Sequence, residues 1–478
     1  MGRLRVAVLG AGIAGLSAAY RCRELATQQG LHLELSVLER EPRVGGCIET
    51  LQDYGFVLEM GPDSLLVEKP AAIALLRRLG LSEQIEPMQA QYRGARVVRA
   101  GRLVPIPDDF RLFTPTSLAS LVTSGLFSPG GILRAALEPF IPPKLTPEDE
   151  SLASFVRRRF GREVLDRLAQ PLLGGIYSGD PERLSAEATL PQLRRMERKY
   201  GSLVRGMRAV AKGADAKNPP QRLVGLRAGL GTLSASLERE LGRSIRKASE
   251  VVGLQRTRGT DGKNTWRISL ADGSVVEADA VISALPAYAS ARLLEGIDPQ
   301  LAQKLSRIRY HSVATVTMAF ALQSIPHLPR CTGFVVPHIE GRKILAATFS
   351  SQKYAHRAPK EYALLRAFVG GALQPSVMDL SDADMIDAVR TEFRALLGIQ
   401  APAHFSIVRR WPDSLPEYEL GHGALAESIA ADVARIERLD LAGSAFGGVG
   451  IPDCVRSGEE AADRVLAQSH EHSTNVRS

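Results

Sequence analysis

The sequence predicts a mixed α/β fold with an added helical region, in which a discontinuous, Rossmann-like nucleotide-binding domain is assembled from both ends of the chain. Three observations carry this. Residues 5–39 read strand, glycine turn, helix, strand; residues 439–468 return to strand, glycine-rich turn and helix; and the middle holds a long helical stretch followed by strands of alternating polarity. At roughly 150 residues per domain, 478 residues allow two or three domains.

The first element is the β-branched run Arg5–Leu9, followed by the turn Gly10-Ala11-Gly12-Ile13-Ala14-Gly15, a helix over Ile13–Thr27 and a second strand, Leu31–Leu38, ending at Glu39. The first glycine of such a turn permits tight reversal, the second lets the backbone approach a pyrophosphate at the helix N-terminus, and the third allows close helix packing. Glu39, 24 residues beyond Gly15, is placed to accept from ribose hydroxyls. A lone GxGxxG is a weak signal, but a strand before it, a helix after it and an acid beyond make it a dinucleotide site. Arg40-Glu41-Pro42-Arg43-Val44-Gly45-Gly46 follows at once, bringing arginines and two glycines where the chain must pass close to a phosphate-rich ligand. An ordinary turn would explain the glycines alone.

The uncharged run Leu112–Leu133 has 22 residues, long enough to cross a bilayer, yet it carries seven Ser/Thr and a Ser128-Pro129-Gly130-Gly131 break. It reads as two short amphipathic helices that present apolar surface to a membrane face or a partner, or else form the core of a helical subdomain. Ser151–Leu173 follows as helix, with Phe155, Val156, Leu165 and Leu168 at helical spacing. A further helix is predicted over Gly231–Leu241, then strands over Thr265–Leu270, Ser274–Ala278 and Ala280–Ala284. The last strand is Leu439–Ala442. Its glycine-rich turn contains Gly443, Ser444, Val449, Gly450 and Ile451, and a helix over Ser457–Gln468 leads to a tail, HEHSTNVRS, expected to be disordered.

Sixty Lys/Arg against 52 Asp/Glu give a net charge of +8. The excess is local: nine basic residues against two acids between Arg194 and Arg222, with Ala211–Gln221 reading as an exposed loop. Only Tyr200 interleaves as an aromatic, so a solvated basic linker is expected and no nucleic-acid partner. Four cysteines without a CxxC pair argue against a disulfide framework or a cysteine zinc site, and nine histidines without ligand spacing predict no metal. A reducing, cytoplasmic setting is expected, and MGRLRVAVLG leaves no room for a signal peptide.

Further motifs carry a resemblance. Gly61-Pro62-Asp63-Ser64, Leu173-Gly174-Gly175-Ile176-Tyr177-Ser178-Gly179-Asp180, Pro416-Glu417-Tyr418-Glu419-Leu420-Gly421-His422 and Gly448-Val449-Gly450-Ile451-Pro452-Asp453-Cys454 closely resemble, in order along the whole chain, the oxygen-dependent protoporphyrinogen and coproporphyrinogen III oxidases. The Arg43-Val44-Gly45-Gly46 stretch resembles the RxGG element of the wider amine-oxidase-like FAD superfamily. The resemblance implies a non-covalent FAD, hydride transfer from a porphyrinogen methylene bridge, three such rounds to the porphyrin, and reoxidation by dioxygen to hydrogen peroxide. It also implies a division into an FAD-binding domain (1–62, 223–290, 419–478), a substrate-binding domain (63–91, 180–222, 291–418) and a helical, membrane-associating domain (92–179).

Residue by residue, the resemblance implies cofactor roles for Gly10, Gly12, Ile13, Ala14, Gly15, Glu39, Arg40, Arg43, Gly45, Gly46, Gly61, Pro62 and Asp63. To these it adds the backbone of Val251 at the adenine, Trp411 against the isoalloxazine, and Gly443, Ser444, Val449, Gly450 and Ile451. Arg96 matches a propionate anchor, which a guanidinium suits by bidentate pairing, and Lys69 is a second anchor candidate. Gly175, Gly333, Val335, Thr348 and Phe368 match segments about the macrocycle, with Val335 and Phe368 as ring contacts. Asp63 could orient a pyrrole N–H or accept a proton; hydride transfer needs positioning more than acid–base help.

Coproporphyrinogen III is the preferred substrate on this reading, with protoporphyrinogen IX as the alternative. Partners implied are the tetrapyrrole itself, a handover to ferrochelatase, and peripheral contact with the cytoplasmic membrane face, for a monomer or homodimer. An amine oxidase or carotenoid desaturase on the same fold is a second enzymatic reading, although the Ala442–Cys454 region offers only Phe446 for a flavin-framing aromatic pair. A flavin-less binding protein like the GDP-dissociation inhibitors is the non-enzymatic reading, against which the intact glycines and Glu39 stand.

Overall fold

The computed structural model describes residues 3–107, 110–111, 113–115, 118–146, 148–212, 223–258 and 264–475. The βαβ unit forms as expected: strand Arg3–Leu9, helix Ile13–Gln29 and strand His32–Leu38, the two strands paired in parallel from Arg3↔His32 to Leu9↔Leu38. Strand Ala280–Ser283 pairs with Arg3–Leu9 on its other side, and Leu439–Leu441 pairs with Ala280–Ser283, all parallel. With Ile245–Arg246 at the far edge this makes a five-stranded sheet drawn from both chain ends.

Both faces of this sheet are covered, which is why the stretches 6–9 and 280–282 in its centre are continuously apolar. Val6 and Val8 face a core shared with Leu16, Leu233, Leu237, Val455 and Val465 from three helices. Ala7 and Leu9 face the other way, onto Trp266, Ile268 and Leu301. Contact between the first and last helices is close: a Cβ on Gly458 would lie 2.1 Å from the Ala14 carbonyl oxygen. That last helix runs Ile451–Asn475, so it begins six residues before the expected Ser457 and carries most of the supposed disordered tail as helix. Its early start follows from Gly450, whose carbonyl accepts from the Asp453 and Cys454 amides.

A seven-stranded sheet forms the second layer, in the order Phe405–Pro416, Tyr310–Ala321, Tyr362–Gly370, Ala346–Phe349, Gly333–Val335, Arg96–Arg99, Arg102–Pro105. One face packs on helix Asp382–Leu397 through Val316, Phe334, Ala367 and Phe393. The opposite face looks toward the first sheet and the helical body.

The helical body takes the expected short helices, Leu118–Thr123 and Pro129–Ala136, the second capped by Ser128, whose hydroxyl accepts from Gly131 N–H. The 151–173 stretch is broken into Leu152–Phe160, Arg162–Val164, a π-turn at Leu165–Ala169 and Gln170–Tyr177. Its core of Phe113, Phe155, Phe160 and Leu168 also takes in Leu190, Leu193, Leu203 and Val204. The core of the helical body thus reaches past residue 179 to Val204. A buried ion cluster explains the extension: Glu138 and Arg159 are fully buried, Arg159 Nε donates to Glu138 Oε1 at 2.7 Å, and Glu138 accepts from Leu203 N–H at 2.8 Å. Leu65, Leu75 and Leu76 pack in the same core as the first sheet, and Leu301 and Leu305 pack on its other face. The predicted loop at Ala211–Gln221 lies, from residue 213 onward, outside the described residues.

Candidate functional site

The first sheet ends in the glycine turn. Gly10 adopts φ +94° and donates to the Leu38 carbonyl at 2.8 Å, turning the chain sharply at the strand end. A Cβ on Gly15 would sit 2.0 Å from the Gly10 oxygen, so the helix can lie against the turn only with glycine there. Gly12 differs: a Cβ would meet nothing within 4 Å, and as the N-cap of helix Ile13–Gln29 it supplies no side-chain cap. The first amides of that helix, at Ile13 and Ala14, thus open onto free space beside Gly12, a form that fits a pyrophosphate.

Glu39 is 8% exposed, its carboxylate accepting from Ala11 N–H at 2.7 Å and Glu41 N–H at 2.9 Å, which fixes it at the edge of that space. The amides of Ser249 and Ala248 donate to the carbonyls of Glu39 and Glu41, so the chain leading to Val251 runs beside the acid. Gly45 N–H donates to the Ala11 carbonyl at 2.8 Å and brings the Val44–Gly46 turn over Gly12. The two arginines both have protein partners here. Arg43 is spent on the Gly46, Val44 and Ile48 carbonyls, pairs with Glu49 and lies over Trp411; Arg40 is exposed and pairs with Glu41.

A second glycine turn closes the site from the C-terminal end. Gly443 has φ +128° and a Cβ there would meet nothing within 4 Å, so it too borders open space. Ser444 begins a single helical turn to Gly447; Val449, Gly450 and Ile451 lead into the last helix. Lys69, one of the two expected anchors, belongs to this turn: its ammonium meets Asp453 Oδ2 at 2.6 Å, and Asp453 crowds Gly448.

Gly61, Pro62 and Asp63 run between the two sheets. Met60 O accepts from Trp411 Nε1 and from the Thr315 hydroxyl, each at 2.9 Å, while Arg366 Nη1 donates to the Glu59 and Gly61 carbonyls at 2.6 and 2.8 Å. A Cβ on Gly61 would lie 2.0 Å from the Cys47 oxygen, which ties this segment to the Gly45-Gly46 turn. Asp63 accepts from Lys353 Nζ at 2.7 Å and from the Ser64 hydroxyl at 2.7 Å, and pairs with Arg366 Nη2 at 2.9 Å. Burial opposes its charge, but the two cations outweigh that and hold the carboxyl far below the usual carboxylate range. With its oxygens held by Lys353, Ser64 and Arg366, Asp63 is placed to orient these groups.

Register brings the expected ring contacts together. Gly333 pairs with Thr348, Val335 with Ala346, Ala346 with Phe368 and Thr348 with Arg366, so these residues share one face of the sheet, the face that meets the helical core through Val335 and the Glu59–Asp63 segment through Arg366. The Arg366 guanidinium lies 4.8 Å from the Phe368 ring centre. Gly333, at φ +147°, lets its strand pass where a Cβ would be 2.1 Å from the Ala347 oxygen. Gly175 lies in the adjoining helix Gln170–Tyr177 with open space about it.

Arg96 is the exception. It pairs in register with Phe334; Val97 packs in the helical core beside Val335, whereas Val98 and Phe334 pack on the opposite face. Strand alternation therefore sets Arg96 away from Val335 and Phe368. Its guanidinium donates to the Leu103 carbonyl at 3.2 Å, and its Nε is buried with no partner among the described residues. The cations on the ring-contact face are instead Arg366 and Arg409, with Lys353 meeting Arg366 at Asp63. Sequence reading missed these, though Arg366 stands alone in the apolar strand LLRAFVG, two residues before Phe368.

Tyr418 was likewise missed as a site residue, although its motif was noted. Its hydroxyl meets the Ser444 carbonyl and the Gly448 amide, and its ring stacks on His422 with centroids 4.1 Å apart. Burial lowers the His422 pKa to about 4, so the imidazole is neutral at pH 7. No group of three or more metal-ligating side chains occurs among the described residues.

The family model for flavin-containing amine oxidoreductases matches residues 13–466. Coproporphyrinogen III oxidase of Bacillus subtilis (strain 168) is 34% identical over 469 residues, covering 97% of this chain and 98% of the relative. Chloroplastic protoporphyrinogen oxidase 1 of Spinacia oleracea is 28% identical, over 96% of this chain and 83% of its own. Among solved structures, a protein from Exiguobacterium sp. 255-15 designated a protoporphyrinogen oxidase superposes with a TM-score of 0.86 at 31% identity, covering 97% of this chain and 99% of that one.

Proposed function

Because the chain belongs to the family of flavin-containing amine oxidoreductases, and within it to the coproporphyrinogen III and protoporphyrinogen oxidases, we propose that it oxidises coproporphyrinogen III to coproporphyrin III in haem synthesis. The observation that supports this is the Gly61–Asp63 segment, which packs on the Cys47 end of the glycine turn over Gly12 and pairs through Arg366 with the sheet face bearing Val335, Thr348 and Phe368. FAD held in this cradle would supply the hydride-accepting chemistry, with dioxygen as the final oxidant and hydrogen peroxide as its product.

The chain's own residues then bind and orient. Amides of Gly12, Ile13 and Ala14 receive the pyrophosphate, Glu39 the ribose, and the Val251 backbone the adenine; Gly61, Pro62, Trp411 and the Gly443–Ile451 turn border the ring system. Gly45 and Gly46 let the chain pass close, while Arg43 holds that turn. Gly175, Gly333, Val335, Thr348 and Phe368 frame the macrocycle, whose flat apolar body suits a sheet face. Arg366 and Arg409 share that face but are already paired with Asp63 and Glu49, so they set its charge and shape, and Arg96 would have to swing from the Leu103 carbonyl to anchor a propionate. Asp63 holds Arg366 and Lys353 in place and moves no proton.

The domain division is proposed with its limits set by the packing of these cores: nucleotide-binding, substrate-binding and helical bodies. The helical body exposes Val122, Leu133, Phe140 and Leu145, with Phe140 78% exposed, a set suited to peripheral membrane contact and to product handover to ferrochelatase there. No helix among the described residues is long and apolar enough to cross a membrane.

The decisive assay follows porphyrin fluorescence in air from coproporphyrinogen III and protoporphyrinogen IX, side by side, on FAD-loaded protein. Higher kcat/KM for the first is expected. Preference for the second would move the substrate to protoporphyrinogen IX, and no fluorescence from either with flavin bound would overturn the proposal.

A further inference from the structure

We propose that Tyr418 is a positioning residue whose phenol oxygen clasps the Gly443–Gly450 turn in the form that borders the flavin. This rests on the reading above that the turn is a flavin contact. One oxygen spans the turn: it donates to the Ser444 carbonyl at the start and accepts from the Gly448 amide, 2.8 Å away, at the end. Between these lies only the helical turn Ser444–Gly447. Gly443 at φ +128° and Gly448 at φ +130° flank it, both in backbone that side-chain-bearing residues rarely adopt. Glycines in such conformations lose the most freedom on folding, so a segment hinged by two of them keeps one shape only if tied.

The phenol is itself held from three directions. Its ring is 2% exposed and lies flat on His422, at 12° between planes, with the Tyr177 ring 6.0 Å away on the helix that carries Gly175. The Tyr418 carbonyl accepts from Ser185 N–H at 2.7 Å, and Glu417 N–H donates to the Arg309 carbonyl at 2.8 Å. Glu417 in turn meets His311 Nε2 at 3.0 Å and the Asp180 amide at 3.4 Å. Glu417 and Tyr418 thereby join the helical body, the end of the seven-stranded sheet and the glycine turn. Their motif PEYELGH was noted for resemblance alone; the structure assigns it this work.

Tyr418→Phe keeps the ring and its stack and removes only the oxygen. Loss of both contacts is expected to raise the FAD dissociation constant about tenfold, to shift the two-electron potential of bound flavin, and to lower kcat with KM for coproporphyrinogen III unchanged. Tyr177→Phe, whose hydroxyl donates to the Thr189 carbonyl rather than to the turn, should leave FAD binding as it is. Unaltered FAD affinity and potential in Tyr418→Phe overturn the clasp. If that variant does not fold, amide exchange in the wild-type holoprotein decides: a peptide over Gly443–Asp453 should be protected, and rapid exchange there overturns it equally. FAD binding is read without substrate, so a tenfold effect in a protein inert toward porphyrinogens would uphold the clasp and refute the substrate reading.

Discussion

Arg366 shows what a single side chain contributes. It is 2% exposed, and its guanidinium donates to two carbonyls of the Glu59–Gly61 segment while pairing with Asp63. Replacing it with methionine leaves two buried acceptors and half-pairs a buried carboxylate, which should cost about 3–5 kcal/mol, measured by urea unfolding. Asp63 adds a pH signature. Its folded pKa lies below the unfolded value of about 4, so the stability it contributes is complete above that value and is lost as pH falls through the folded one. The stability gap between wild type and Asp63→Asn should therefore hold steady from pH 7 to pH 5 and shrink by pH 3. Sequence alone pointed to Asp63 but not to its partners, because Lys353 and Arg366 lie about 300 residues away and only the fold unites them.

At the scale of elements, the βαβ unit was legible because its signals are local: strand, turn and helix each carry their own pattern. The helical body was less so. Its reach to Leu203 depends on Glu138, Arg159 and Glu197, a cluster whose members have no helical spacing in common. Two glycines separate the roles that a helix start can play. Gly12→Ala adds a methyl into open space at φ −66°, so the apo protein should unfold within about 0.5 kcal/mol of wild type while FAD binds far less tightly. Gly458→Ala pushes a methyl to 2.1 Å from the Ala14 carbonyl, so it should destabilise the apo protein itself by about 1–3 kcal/mol. Chemical unfolding of both apo variants, beside FAD titration of each, checks the contrast.

For the molecule as a whole, the consequence lies in the order of its first sheet. Strands from residues 3–9, 280–283 and 439–441 stand side by side, so the chain that builds the second sheet and the helical body leaves this sheet and returns to it. FAD bound across Gly12 and Gly443, as proposed, would hold both the first and the last segments and pin the long excursion between them at its two ends. The Asp63–Arg366 and Tyr418–Ser444 contacts tie the excursion to the cradle a second time. Binding that favours the folded state raises stability by RT ln(1 + [L]/Kd), about 2.7 kcal/mol at a hundredfold excess over Kd. Because the cradle is shared by both ends, that gain should move one cooperative transition upward across the whole chain. Calorimetry of the apo protein with rising FAD is expected to show a single peak shifting to higher temperature. A second peak that stays fixed as FAD rises would mean that the helical body unfolds by itself, held by its buried Glu138–Arg159 cluster and not by the nucleotide domain.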